Sequence, residues 1–523
     1  MTAVRPPRGG PRSPTLLDAL LPVVVLICLL ALTIWLFGVG ATDGPLQVAL
    51  LLSAAFASLV AFKNGYTVGS VLDATVSGVS SAVSAIFILL AVGALIGTWN
   101  MAGTIPTVVD LGIRLMSPTW FYLATCAICA VVGAVTGSSW TTAGTLGVAF
   151  VGMSTVMGLD QAIAAGAVVC GAYFGDKMTP LSETTVLVPQ LVGGGLTVGG
   201  HIKNMVWTAG PALAVSLVAF FILGLDATPD ASVDIDQARA ALGSAFNISV
   251  WALLPLLVLV LFAVLRFPPF LSILGSALSA AVLAPFLQWD QVVAFVDDSS
   301  LGTVATAVEA GYAAMATGFV SDSGVSEIDA LFSRGGMSSM LTTIWLVLGA
   351  LAFAAVMEHA GFLARLLEPV VARTRTRGSV IAAVAGSGVG LNVIAGDQYV
   401  ADVLPSRMFR SEFSQRGLAP EVLSRAVEDS GTVTSVLVPW NTCGAYISGV
   451  LGVSTVSYLP YCFFNLLSPL LDVAFGFLGF KVPTADRDWA AENAVAPPST
   501  VASGRSATES PSGTPDTTGG HHG

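Results

Sequence analysis

Residues 175–185 read GDKMTPLSETT and stand between Ala162–Phe174 and Val186–Gly200, two stretches without a charged residue. Asp176, Lys177, Glu183 and Pro180 thus interrupt what otherwise reads as membrane. A carboxylate at the centre of a membrane helix costs at least about 2.5 kcal/mol. The flank Gln161–Phe174 has 14 residues, about 21 Å as a helix against a hydrocarbon core of about 30 Å. The stretch therefore breaks a span or tips a re-entrant hairpin. Either way it sets non-helical backbone at membrane depth, which is tolerated only where protein or a water-filled cavity surrounds it.

The rest of the chain agrees. Of 523 residues, 54% are hydrophobic and 10% charged, with mean hydropathy +0.82, whereas soluble domains carry roughly 25% charged residues. Long apolar runs, in place of short alternating ones, exclude an outer-membrane barrel and predict an all-α polytopic membrane protein. The net charge of −11 comes without a basic patch interleaved with aromatics, so no nucleic-acid partner is expected. Cys126 and Cys129 have C-x-x-C spacing but no further Cys or His nearby, and read as small packed residues. His201 and His359 read as loop or interface residues near the ends of apolar stretches.

Eight apolar segments fall within 17–225 and eight within 249–480, some too short to span. The expected organisation is a cytoplasmic tail (1–16), a first transmembrane repeat (17–225), an acidic extracytoplasmic linker (226–248), a second repeat (249–480) and a disordered tail (481–523). Arg5, Arg8 and Arg12 place the N-terminus in the cytoplasm. Arg365, Arg373, Arg375 and Arg377 follow the segment 338–358, while Lys63 precedes its counterpart 79–99, so the two halves enter the membrane from opposite sides.

The duplication rests on matches at near-constant spacing. Pro180 and Pro439, and Gly137 and Gly396, are 259 residues apart; Ala102-Gly103 and Ala360-Gly361 follow suit at 258. Two inverted-topology repeats with broken helices or re-entrant hairpins place a site at the midplane between the repeats. The charges do not share the symmetry: Asp176 falls on Ser435, Asp397 on Ser138 and Asp429 on Cys170. The glycine pairs Gly93/Gly97, Gly133/Gly137 and Gly195/Gly199 read as close helix-packing positions.

Candidate ion- or substrate-binding residues are Asp176, Ser182, Glu183 and Thr184, with Ser138 and Ser139 in the first half. In the second half they are Asn392, Asp397, Asp429, Asn441 and Thr442. Lys177 and Glu428 are candidate charge partners, Glu428 having Arg425 three residues before it; Asp402, near Arg407, reads as an end-of-span residue. Asp176, Asp397 and Asp429 are the expected Na+ ligands, because a hard cation suits carboxylates, hydroxyls and the exposed carbonyls of half-helix C-termini. Such a carboxylate holds Na+ or a proton but not both, which is enough to exchange the two.

GDKMTPLSETT, GDQYVADVLPSRMF (396–409) and EDSGTVTSVLVPWNTCGAY (428–446) resemble signatures of the NhaC-type sodium/proton antiporter family, and GSSWTTAGTLG (137–147) resembles its first-repeat element. The resemblance covers most of 17–480 and implies a multi-pass exchanger of the cytoplasmic membrane, related to the ion-transporter superfamily and working without a cofactor on Na+ and H+. The family more often shows GDKMSPLSDTT, so Thr179 and Glu183 depart from it with their oxygen chemistry kept. Its members include a malate/lactate exchanger, so a Na+- or H+-coupled carrier of an organic acid or amino acid stands as the alternative, with Lys177 as the cation for a substrate carboxylate. A membrane enzyme or passive channel is a third reading with no motif behind it. The sequence leaves a homo-oligomer open.

Overall fold

The structure, a computed structural model, describes residues 11–227, 235–298, 300–324, 329, 331–485 and 489. It is helical throughout; the one isolated strand-like bridge among the described residues joins Leu418 to Thr484. Among the described residues, eight helices are long and apolar enough to cross a membrane, or up to ten if each of two bent pairs is one span.

The first half begins with α1 (Leu16–Phe37) and α2 (Pro45–Lys63). Thr15 and Asp18 form a capping box at the start of α1, and Lys63 reaches the same Asp18 at 2.7 Å, tying the two helix ends together. Then come α3 (Val68–Ser81), α4 (Val83–Met101), α5 (Thr104–Leu115) and α6 (Pro118–Thr136). Beyond Gly137 a bent run consists of α7 (Ser139–Thr142), a π-helical turn (Ala143–Gly147) and α8 (Val148–Val156). The half ends with α9 (Gln161–Lys177), α10 (Glu183–Val192) and α11 (Val198–Leu225).

The second half is preceded by α12 (Ile235–Ala245) and runs through α13 (Leu254–Val264), α14 (Pro269–Leu287), α15 (Trp289–Val296) and α16 (Thr303–Ala316). It continues with α17 (Leu341–His359), α18 (Phe362–Arg373), α19 (Arg377–Ala395), α20 (Gln398–Met408) and α21 (Arg410–Gln415). Next, α22 (Pro420–Val427) passes into a π-helical turn (Glu428–Thr432) and a short turn at Ser435–Leu437. The last elements are α23 (Thr442–Leu451), α24 (Thr455–Tyr458) and α25 (Phe463–Leu478).

The local structure recurs where the sequence matches do. α4 and α17 have 19 residues each and end at left-handed glycines, Gly103 and Gly361. α5 and α18 have 12 each, and α6 and α19 have 19 each, ending at left-handed Gly137 and Gly396. Ser138 and Asp397 then cap the helices that follow. Ser182 and Asn441 occupy the N-cap positions of α10 and α23, ten-residue helices that both stop at positive-φ glycines, Gly193 and Gly452. The run from α3 into α4 passes antiparallel to the run that leads into and along α17: Gly93 of α4 lies against Gly336, before the start of α17, and Gly78 of α3 lies against Ala355 near the end of α17.

The break in GDKMTPLSETT is narrower than the sequence suggests. Asp176 and Lys177 belong to the last turn of α9, and only residues 178–182 leave the helix. The carbonyl end of α9 and the amide end of α10 therefore face the same gap. α9 lies so close to α6 that a Cβ on Gly171 or Gly175 would stand 2.2 or 2.4 Å from the carbonyls of Cys126 and Ala130. Gly93, Gly97 and Gly133 have comparable close neighbours, as expected. Gly195 and Gly199 do not: an added Cβ at either meets nothing within 4 Å, and Gly195 is a positive-φ turn residue instead.

Gly137 combines a φ of +68° with Leu181 Cβ only 2.5 Å from where its own Cβ would be. Gly137→Ala should cost about 1–3 kcal/mol. Gly396→Ala has the same backbone strain but meets its nearest neighbour at 3.3 Å. Thermal unfolding in detergent should rank Gly137→Ala as the less stable of the two.

The chain end also differs from expectation. Residues 481–485 and Trp489, placed in a disordered tail, are held in the structure. The Ala419 amide donates to the Pro483 carbonyl at 3.1 Å, the Ala485 amide to the Gly417 carbonyl at 2.9 Å, and the buried Trp489 indole to the Leu418 carbonyl at 3.2 Å. The remainder of the tail and the acidic stretch 228–234 lie outside the described residues.

Candidate ion-binding site

A cavity of about 1210 Å³ reaches the break at 178–182 and the start of α23 at Thr442. Ser138, Ser139, Asp176, Ser182, Glu183 and Thr184 line it from the first half, and Asp397, Gln398, Tyr399 and Thr442 from the second. Eight of the residues expected to bind ion or substrate thus converge on one space. Asp176 is fixed from the facing helix start: the Ser139 amide and hydroxyl donate to its Oδ2 at 2.9 and 2.7 Å. At the repeat-related place, the Ser435 hydroxyl donates to Gln398 Oε1 at 3.4 Å. Ser139 and Gln398 are themselves 259 residues apart. The hydrogen bond recurs, and only the first half places a carboxylate in it.

Asp397 is committed locally, its Oδ1 accepting the Tyr399 and Val400 amides as the cap of α20, with Thr442 Oγ1 3.4 Å from Oδ2. Asn392 and Asn441 hold the breaks together. Asn392 Nδ2 donates to the Gly431 carbonyl at 2.6 Å and to Thr434 Oγ1 at 3.0 Å, and Asn441 Nδ2 to Asn392 Oδ1 at 3.0 Å. Across the halves, Trp140 stacks on Tyr446 with ring centroids 4.1 Å apart, and the Tyr399 hydroxyl donates to Glu183 Oε2 at 2.6 Å. Trp140 and Tyr399 are again 259 residues apart.

Behind the cavity wall lies a second, fully buried group. Lys177 pairs with Asp429, which also accepts from Ser468. Lys177 therefore does not pair with adjacent Asp176 and does not line the cavity. Glu428 Oε1 accepts the Thr184 hydroxyl at 2.9 Å, and its Oε2 lies 3.7 Å from His201 Nε2. Asp402 Oδ2 accepts the Thr432 hydroxyl at 2.8 Å. Arg425 donates from Nε to Asp472 at 2.6 Å, and from Nη1 to Asn204 at 3.1 Å and to the Lys481 carbonyl at 2.9 Å. Much of this group sits around the π-helical turn 428–432, where Gly388 lets α19 approach the Ser430–Gly431 backbone.

Several expectations are corrected here. Asp176, Asp397 and Asp429 do not form one cation cage: no three His, Cys, Asp or Glu side chains converge as metal ligands among the described residues. Asp429 is behind the wall because Lys177 holds it. Glu428 is not Arg425's partner, since Asp472 takes that guanidinium. Asp402 is not an end-of-span residue but a buried member of the cluster, and His201 is fully buried between α11 and α22. Asp472 was missed altogether. An acid inside the apolar run 460–480 was a signal for it, on the same cost argument that singled out Asp176.

The electrostatics are unbalanced. Four buried carboxylates (Asp402, Glu428, Asp429 and Asp472) face two fixed cations, Lys177 and Arg425, with His201 beside them. Asp402 Oδ1, Glu428 Oε2, Asp429 Oδ2 and Asp472 Oδ2 take no hydrogen bond from the described residues. Uncompensated buried charges cost several kcal/mol each, so the group is suited to holding protons or a cation.

The model of the Na+/H+ antiporter family matches residues 171–480. The Na+/H+ antiporter NhaC of Alkalihalophilus pseudofirmus is 38% identical over 438 residues, 84% of this chain and 90% of that protein. NhaC of Bacillus subtilis is 33% identical, covering 83% of this chain and 92% of its own. The malate-2H+/Na+-lactate antiporter of Bacillus subtilis is 31% identical, covering 90% and 96%. The family match takes in the breaks at 178–182 and 438–441 and every charged member of the buried group, and the relatives align over nearly their whole length: the chain belongs to the Na+/H+ antiporter family.

Proposed function

We infer that this chain exchanges Na+ for H+ across the cell membrane as a secondary transporter, working by alternating access with Asp176 as the residue at which the two ions compete. The observation that carries the reading is the position of Asp176. It is a carboxylate at the carbonyl end of a broken helix, on the wall of a large cavity, with both hydrogen bonds from Ser139 on one oxygen. Na+ would be held by Asp176 together with hydroxyls from Ser139, Ser182 and Thr184 and carbonyls at the end of α9. Protonation of the same carboxylate would release it. Glu428, beyond Thr184, adds negative potential behind the site.

The antiparallel passage of residues 78–93 beside 336–355 supports an inverted relation of the two halves. Orientation follows from where the basic residues collect. The Arg12 amide donates to the Asn64 carbonyl beside Lys63, and Tyr66 packs on His359 with centroids 5.2 Å apart, just before Arg365. The positive-inside rule puts this face in the cytoplasm. His359 and Glu358 line the cavity, which supports an inward-facing reading of this conformation.

The organic-acid alternative loses its main motive, because Lys177 is taken up by Asp429. The cavity volume keeps it testable, since about 300–1,000 Å³ suffices for a small molecule. Purified chain in proteoliposomes with an internal pH dye should alkalinise or acidify in response to a Na+ gradient alone. Proton movement only when malate, lactate or an amino acid is added would overturn the Na+/H+ reading.

A further inference from the structure

Trp140 and Tyr446 are unused by that account, yet they meet across the two halves right beside the ion site. Trp140 follows Ser139, which holds Asp176, and lines the cavity, whereas Tyr446 is fully buried. Their rings lie within 13° of parallel, and the Tyr446 hydroxyl donates to the Trp140 carbonyl at 2.9 Å. The packing around that hydroxyl is close: a Cβ on Gly144 would stand 2.7 Å from it and 3.1 Å from Val92 of α4. Two large rings face to face, with the buried hydroxyl satisfied, make an apolar wall that a hydrated cation does not cross.

The internal matches give this contact a counterpart. Tyr399 stands 259 residues after Trp140, and Leu187 stands 259 before Tyr446. Trp140 and Tyr399 are each the second residue of the helix after a left-handed glycine, in α7 and α20. Each reaches the short helix beyond the other half's break. Trp140 reaches α23, and Tyr399 reaches α10, where its hydroxyl donates to Glu183 one turn before Leu187. The two contacts differ in state. Trp140 and Tyr446 are stacked shut, while Tyr399 and Glu183 are both exposed and both line the open cavity.

We propose that Trp140 on Tyr446 is the closed gate of the transport path, and that Tyr399 closes over α10 at Leu187 when that gate opens. The inference deepens the alternating-access reading above and rests on it. In the present conformation the Asp176 site is open past Tyr399 and sealed at Trp140. In the other, the Trp140–Tyr446 stack parts and opens the site to the opposite side, while the Tyr399 ring leaves Glu183 and covers the present opening. Because one gate is always shut, each ion crosses only when bound at Asp176. The aromatic pairs thereby determine how tightly Na+ is coupled to H+, without touching either ion.

The test counts both ions in proteoliposomes of the full chain, loaded with ²²Na+, diluted into Na+-free medium, and clamped in potential with K+ and valinomycin. In the parent, protons enter in fixed proportion to the Na+ that leaves. In Trp140→Ala the Na+ lost per proton gained should rise about tenfold or more, the factor that removing a buried ring stack makes in an opening equilibrium. Trp140→Phe keeps a ring for Tyr446 and should stay within about twofold of the parent ratio. Tyr399→Ala should leak like Trp140→Ala, through the conformation in which its own gate is the shut one. If Trp140→Ala does not accumulate in the membrane, Tyr446→Leu carries the same comparison. A stack that only supports the fold would lower both fluxes together and leave their ratio alone; that result, or an unchanged ratio with intact fluxes, overturns the gate. A leak in Trp140→Ala with the parent ratio in Tyr399→Ala overturns the alternation of the two. Parent protein that moves no proton against Na+ would overturn the Na+/H+ reading itself, whereas a parent that exchanges normally beside variants of unchanged ratio overturns the gate alone.

Discussion

In Asp176→Asn, Na+-driven proton movement in proteoliposomes should fall by about a hundredfold or more, to the level of empty vesicles, while the protein inserts, purifies and melts close to the parent temperature. The two halves of this expectation have separate causes. An asparagine oxygen can still accept the Ser139 amide and hydroxyl, which both converge on Oδ2, so the joint between α9 and α7 survives. The side chain can no longer take up a proton or present a full negative charge to Na+, so the competition that couples the two ions disappears. Undiminished exchange in Asp176→Asn would remove the residue from the transport site.

Asp429→Asn should behave differently, and melting in detergent will separate the two. Both Lys177 and Asp429 are fully buried. Neutralising one partner of a buried pair leaves the other charge uncompensated, at a cost of about 3–5 kcal/mol. A marked loss of thermal stability is expected along with loss of exchange. The double variant Lys177→Gln/Asp429→Asn should regain most of the stability, because two neutral amides can bond to each other and to Ser468, but none of the transport. Such rescue is the non-additivity of two residues in direct contact. If Asp429→Asn alone melts like the parent, the pair does not hold the wall behind the cavity.

The features the sequence made legible are those written locally. Pro180 and Pro439, and the matched pair Gly137 and Gly396, each depend on a few neighbouring residues: the prolines fall in the two breaks, and the glycines, of which Gly137 was read as a helix-packing position, end their helices in the left-handed conformation. Asp176, Ser139 and Thr184 of the first half line the same cavity as Asp397 and Thr442 of the second, and the internal matches were the feature of the sequence that related the two halves. The choice of partners was not legible. Lys177 finds Asp429 at a separation of 252 residues, and Arg425 passes over nearby Glu428 for Asp472, 47 residues on. A local pairing rule ranks Glu428 first for Arg425; a carboxylate brought up by α25 overrides it. His201 was misread for the same reason, since its burial depends on α22 and nothing around it in the chain announces that contact.

The hydrogen bond between Asp176 and Ser139, matched by that between Ser435 and Gln398, bears on the valence of the site. Two identical halves would carry the same residue at both places, either two acids or two hydroxyls. One acid opposite one hydroxyl needs two halves that differ in sequence, as the halves of this chain do. A chain rebuilt from two first halves would place a second carboxylate where Ser435 now stands, and would turn a singly charged pair of joints into a doubly charged one.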